Sequence, residues 1–267
     1  MNAARLRATG LTMALTGMVL TTACSGDSGG STPTPSQALP HDGQHVRLDP
    51  KDFSTTIDNT FMPMVPGTQL TYRGTDEEGT VSTITVTVTD QTKRIANGVT
   101  ARVVRDTARE DGQIIEDTLD WFAQDDKGNV WYLGENTATF EDGRKKSAEG
   151  SFEAGVDGAQ AGIAMPANPR PGPVYRQEYY KGHAEDNGQV LSTREMVDVR
   201  QGHFDSVVLT KDTSAIEPNA LEYKFYAANV GTVLTLDVAG GSDREELIGI
   251  KKVPTGTATG PLGHPDS

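Results

Sequence analysis

The sequence has one cysteine, Cys24, so no intramolecular disulfide can form. Histidines number five and stand apart, at 41, 45, 183, 203 and 264. No nucleophile elbow, phosphate loop, zinc helix or metal-binding cysteine pair is present, which removes the enzyme classes that need them. Positive charge is also scarce: 24 Lys and Arg stand against 37 Asp and Glu, a formal charge of −13. An acidic surface repels phosphate, so nucleic acid is excluded as a partner. Aromatics make up 6 % of residues. A helical stripe is missing throughout the chain after residue 23, and the apolar run at 11–20 is far short of the roughly 20 residues a membrane helix needs.

That short run has another use. Arg5 and Arg7 precede it with no acidic residue nearby, and Leu20-Thr21-Thr22-Ala23-Cys24 follows it. This is a secretory signal ending in a segment that resembles the bacterial lipobox. Cleavage before Cys24 and diacylglycerol on its sulfur, with acyl chains such as palmitate, are expected. They would hold the protein on the outer side of a bacterial membrane. With two membranes, Ser25 directly after the cysteine favours the outer one. Removal of residues 1–23 takes away both arginines and moves the charge from −13 to −15. Residues 24–47 form the anchor and a Ser, Thr, Pro and Gly tether, expected to be flexible. Within it, Gly26-Asp27-Ser28-Gly29-Gly30 resembles the nucleophile segment of trypsin-like proteases. The rigid framework and histidine segment of that family are missing, which removes the activity.

From residue 48 the pattern is strand after strand. Residues 83–89 read Thr-Ile-Thr-Val-Thr-Val-Thr, one wet and one dry face. Further strands are expected at 69–73, 100–108, 113–123, 129–133, 137–141, 174–180, 189–199, 206–213, 220–226, 232–238 and 245–252. Tight turns separate many of them, among them Glu110-Asp111-Gly112, Asp126-Lys127-Gly128-Asn129, Glu141-Asp142-Gly143 and Asp186-Asn187-Gly188. Connections this short exclude parallel crossovers. The expectation is an all-β domain over 48–253: an antiparallel meander of about twelve strands, closed as a curved sheet, barrel or sandwich. Its apolar faces should meet inside, with a site at a rim or seam. Segments at 66–73, 100–107 and 119–123 match 171–176, 206–213 and 221–225 in order, suggesting two duplicated halves, about 66–141 and 171–252. A loop at 142–170 joins them, with Phe152, Val156, Ile163 and Met165 as apolar anchors. Residues 254–267 are expected to be a disordered tail.

Several stretches together carry a family likeness. They are Asp58-Asn59 leading to Pro63 and Pro66-Gly67, Asp120-Trp121-Phe122-Ala123-Gln124-Asp125, and Gly128-Asn129-Val130-Trp131-Tyr132-Leu133-Gly134-Glu135. With them go Glu153-Ala154-Gly155-Val156-Asp157-Gly158-Ala159, Met165-Pro166, Tyr175-Arg176-Gln177-Glu178-Tyr179-Tyr180 and Ala184-Glu185-Asp186. The chain resembles, over roughly residues 52–250, a broad group of secreted or lipid-anchored bacterial β-proteins with no assigned function. The resemblance implies localisation and an all-β domain, and no chemistry.

Candidate site residues concentrate between the halves. Tyr175, Tyr179, Tyr180, Trp121 and Trp131 offer faces for an apolar or sugar-like ligand. Glu178, Glu185, Asp186 and Asp157 could fix a cation, Ca²⁺ before any softer metal, because their donors are hard oxygens. Asp125-Asp126-Lys127-Gly128-Asn129 is better read as a hairpin turn than as a calcium loop, since Lys127 takes a ligand position. His41 and His45 around Asp42, and His203 in a turn, read as surface residues. Two functions follow. One is a binding protein without catalytic activity, for a small molecule or a cation. The other is an envelope hydrolase with Glu178 and Asp186 or Asp157 as paired carboxylates and His183 as proton carrier.

Overall fold

A computed structural model describes residues 39–41 and 44–266. The signal peptide, Cys24, the tether through residue 38 and Asp42 lie outside the described residues. Apart from a single 3₁₀ turn at Pro50–Asp52, the described residues form strands and connections with no α-helix. The strands are β1 (Phe53–Ser54), β2 (Thr68–Thr75), β3 (Val81–Arg94), β4 (Thr100–Glu110), β5 (Gln113–Asp125), β6 (Val130–Glu141), β7 (Arg144–Ser147) and β8 (Phe152–Glu153). They continue as β9 (Gln160–Met165), β10 (Tyr175–Arg176), β11 (Glu178–Tyr179), β12 (Asp186–Val199), β13 (Gly202–Ser214), β14 (Leu221–Ala227), β15 (Gly231–Ala239) and β16 (Arg244–Lys252).

All pairings are antiparallel, as the short turns require. At 110–113 and 141–144 the pairs Asp111-Gly112 and Asp142-Gly143 both hold positive φ, the twist that two-residue hairpins demand. The sheet runs β10-β12-β13-β14-β15-β16-β2-β3-β4-β5-β6-β9-β11. Its two ends are neighbours in sequence. Tyr175 pairs with Gly188 of β12, and three residues later Glu178 pairs with Ala161 of β9. One extended segment therefore touches both edges, and Arg176 reinforces it by donating from Nε and Nη2 to the Ala161 carbonyl, at 3.3 and 3.0 Å. The result is a nearly closed, barrel-like sheet. In the two halves, β2–β6 and β12–β16 run through successive neighbours in the same order, as any two stretches of a plain meander do, while β10 and β11 lie at opposite edges.

Four sequence expectations change. The 142–170 loop contains β7, β8 and β9; Phe152, Ile163 and Met165 are buried, while Val156 is exposed. Asp186-Asn187-Gly188 is not a turn but the start of β12, paired on both sides. The last part of the supposed tether is docked: Arg176 donates its backbone N–H to Pro40 O at 2.7 Å and its Nη1 to Gln44 O at 2.6 Å. Leu39 and Val46 pack on the core alongside it. The C-terminal tail is not disordered either. Residues 254–266 lie on the outer face, where Arg105 Nη1 donates to Gly260 O at 2.6 Å and Asp117 Oδ2 accepts from the Gly263 N–H at 2.6 Å. Arg105 and Asp117 are fully buried beneath it.

Outer-face burial also explains where the apolar side chains go. Residues 53–64 lie against β4–β6: Phe53 meets the Trp131 ring edge-on at 6.0 Å, and Ile57 and Met64 join the same cluster as Val99 and Ala101. Asn59 latches the segment by donating to Gly128 O and Pro166 O at 2.9 and 3.2 Å. Because the outside of these strands is covered, their inside is free to carry polar residues.

Candidate functional site

Strand register shows which residues share the inner face. Glu222 of β14 stands opposite Asp212 of β13 and Asp237 of β15. Thr235 stands opposite Glu245 of β16, and Glu245 opposite Gly74 of β2. On β4 and β5, Asp106 pairs with Thr118 and Val104 with Asp120; Asp120 in turn faces Glu135 of β6. The acidic positions fall early in β5, β12 and β14 and late in β4, β13 and β15. In an antiparallel sheet these are all one end of the barrel. At the other end the inner face is apolar, with Val88, Val104, Phe122, Val208 and Leu247 buried. The expectation that apolar faces alone meet inside is thus corrected. Inside, carboxyl groups gather at one end, the acidic well, and apolar side chains at the other, with Glu116, Asp237 and Glu245 half-buried.

Toward the bottom, the Tyr132 hydroxyl lies 2.8 Å from Asp120 Oδ1 and 2.6 Å from Glu135 Oε2. A phenol has a single proton to donate. One carboxyl must therefore carry a proton and donate it to the tyrosine oxygen. Burial, reinforced by the charge of Asp120, pushes Glu135 up to about 8, so Glu135 is that acid at neutral pH. Burial also raises Asp120, against the hydrogen bond from Tyr132 that favours its ionised form. Asp106, desolvated and near Asp120 and Glu245, lies well above the ordinary carboxylate range. So does Glu178, by burial first and then by Asp186, with which it shares a hydrogen bond. Asp237 is raised to about 7 by burial and by Glu222.

The cation among these acids is Lys224. Its Nζ lies 2.7 Å from Glu222 Oε2 and 3.0 Å from Asp212 Oδ2. Burial alone would discharge it, but the two carboxylates hold its pKa well above the usual value, and it stays charged. Burial likewise opposes ionisation of Glu222, yet the ammonium keeps Glu222 below the ordinary carboxylate range. Gln177 Nε2 donates to the same Asp212 Oδ2 at 3.2 Å.

The residues singled out from sequence divide accordingly. Glu178, Asp186 and Tyr175 belong to the well. Tyr180 stacks on His183 with ring centroids 4.5 Å apart, in the turn after β11, and Tyr179 is half-buried beside it. Glu185 accepts the Gly182 N–H at 2.6 Å. Asp157 is exposed in a turn at positive φ. Trp121 lies under Lys93, whose Nζ is 4.4 Å from its ring centroid, and Trp131 donates Nε1 to Asp125 Oδ2 at 2.9 Å. Both tryptophans thus serve packing. Among the described residues, no three His, Cys, Asp or Glu are grouped to hold a metal ion. The sequence reading passed over Asp106, Asp120, Glu135, Asp212, Glu222 and Lys224. Their signal was phase: in Leu221-Glu222-Tyr223-Lys224-Phe225-Tyr226 the charges alternate in step with the buried Tyr226.

No protein-family model and no curated protein matches the sequence. Among solved structures, the chain is similar to a protein of Bacteroides fragilis with a YmcC-like fold, inferred to be exported. The TM-score is 0.44 with 18 % identity, over 72 % of this chain and 99 % of that one. It is also similar to a protein of Parabacteroides distasonis inferred to be a lipoprotein. There the TM-score is 0.39 with 15 % identity, over 72 % of this chain and 99 % of the other.

Proposed function

We propose that the chain is a lipid-anchored extracytoplasmic protein that binds a small ligand in the acidic well and performs no catalysis there. The observation that carries this reading is the inward face itself. A core built only for stability would bury apolar side chains at these positions, because each desolvated carboxyl is costly unless something compensates it. Here several carboxyls are retained at one end of the barrel, and they stay neutral by holding protons. The hydrolase alternative needs two carboxyls roughly 5–9.5 Å apart with a substrate between them. Glu178 instead has Asp186 as an immediate electrostatic neighbour, and Asp157, the other partner considered, is exposed in a turn.

The test is thermal unfolding of the detergent-solubilised protein against cationic, neutral and anionic small molecules. A ligand bound only by the folded state at a hundredfold excess over Kd adds about 2.7 kcal/mol of stability. Glu178→Gln and Asp120→Asn should each diminish that gain. If both variants keep the full response of the wild type, the ligand does not sit in the well and the proposal fails.

A further inference from the structure

We infer that the ligand carries a primary ammonium group, which seats beside Lys224 against Asp212 and Tyr175; this rests on the reading of the well as a binding site. The half of the seat already occupied shows the chemistry. Lys224 Nζ and Gln177 Nε2 both bond the same oxygen of Asp212, Oδ2, at 3.0 and 3.2 Å. The other oxygen, Oδ1, has no hydrogen-bond partner, and neither has the hydroxyl of Tyr175. Asp212 is 6 % exposed and Tyr175 1 %, so both atoms have been taken out of bulk water with nothing in exchange. They belong to one locus, since Tyr175 and Asp212 stand on the two sides of the same residue, Gly188 of β12.

What such a locus lacks is any donor beyond the single O–H of Tyr175. A carboxylate oxygen can only accept, and the phenol oxygen accepts as well as donating its one proton. An ammonium brings three N–H donors, where an alcohol brings one. The surrounding charge selects further. Two carboxylates, Glu222 and Asp212, face the single ammonium of Lys224, so one negative charge is left over; an added positive charge is favoured and a carboxylate is repelled. Calcium is the weaker fit, since it takes six to eight oxygens and the described residues group no three acidic ligands.

The backbone makes room for this seat. Gly188 pairs with Tyr175 on one side and Asp212 on the other. A Cβ there would lie 2.9 Å from Cε2 and Cζ of the Tyr175 ring and 2.8 Å from Gln177 Nε2. Only glycine lets the ring cross the strand and lets the Gln177 amide reach Asp212.

Isothermal titration of the full chain in detergent, with butylamine, 1,4-diaminobutane, butanol, butyrate and calcium chloride, tests the inference. Both amines should bind, and the other three should not. Asp212→Asn should weaken amine binding about tenfold or more, as expected for loss of a charged partner. Tyr175→Phe should weaken it severalfold, and because it deletes only an unpartnered hydroxyl the fold is not at risk. Gly188→Ala should also weaken it, by displacing Tyr175 and Gln177. Amine affinity unchanged in both Asp212→Asn and Tyr175→Phe would overturn this seat. Butanol or butyrate binding as well as butylamine, with Glu178→Gln abolishing the heat, would overturn the ammonium class and leave the well standing. No heat from any probe that depends on Glu178 would remove both.

Discussion

Glu135 and Tyr132 make the interior sensitive to pH through a single proton. In the folded chain Glu135 is raised from 4.5 to about 8; in the unfolded chain it ionises near the ordinary value. Between those values the folded state holds a proton that the unfolded state has lost. Stability therefore falls as pH rises from about 4.5 to about 8, and the loss is complete above that. Glu135→Gln keeps a donor for the Tyr132 oxygen but has nothing to titrate. The variant should match the wild type near pH 4.5 and exceed it at pH 8.5, by an amount on the order of a few kcal/mol. Urea unfolding at the two pH values measures this. Equal slopes for the two proteins would show that the proton does not reside on Glu135.

At the scale of elements, the C-terminal segment 254–266 works as a strap. Each of the five N–H groups of Arg105 has an acceptor: Asp117 takes two, and the carbonyls of Ala258, Gly260 and Pro261 take the rest. Asp117 in turn also accepts from Thr107 Oγ1 at 2.9 Å and from the Gly263 N–H. Deleting residues 254–267 strips the guanidinium of its carbonyls and should destabilise the barrel, while Arg105→Ala leaves a buried aspartate and should cost about 3–5 kcal/mol. The two changes remove the same bonds, so together they should cost clearly less than their sum. Chemical denaturation of the three variants checks the cycle, and strict additivity would show that the strap does not act through Arg105. This element was not legible in the sequence. Its contribution is made by backbone carbonyls of a Pro, Gly and Thr stretch, which has the composition of disorder, and its partner lies some 150 residues away. The strands themselves were legible, because alternation and Asp-Gly turns are local signals. The start of β12 was misread for a related reason. Asn187-Gly188 has the chemistry of a turn, but Gly188 is there to let the Tyr175 ring pass.

At the scale of the molecule, the sequence pointed to an antiparallel meander of about twelve strands, and the described residues form sixteen, the additional ones mostly short pieces between the halves. The acidic well was out of reach, because alternation separates two faces without telling which one is inside. That depended on the segments covering the outside. The lipid anchor belongs to this scale as well. Cys24→Ser should release the protein from the membrane fraction, and intact mass of the extracted wild type should show diacylglycerol on a chain beginning at residue 24. A mature chain that starts elsewhere, or lacks that mass, would contradict the anchor. One pairing has a consequence for the order of events. β2 lies against β16, with Thr68 opposite Lys252. The first long strand thus waits for the last, and closing so large a loop is entropically slow. A chain threaded through a membrane from its N-terminus cannot complete this barrel until its final strand has emerged. For an exported chain this topology postpones closure of the barrel to the far side of the membrane.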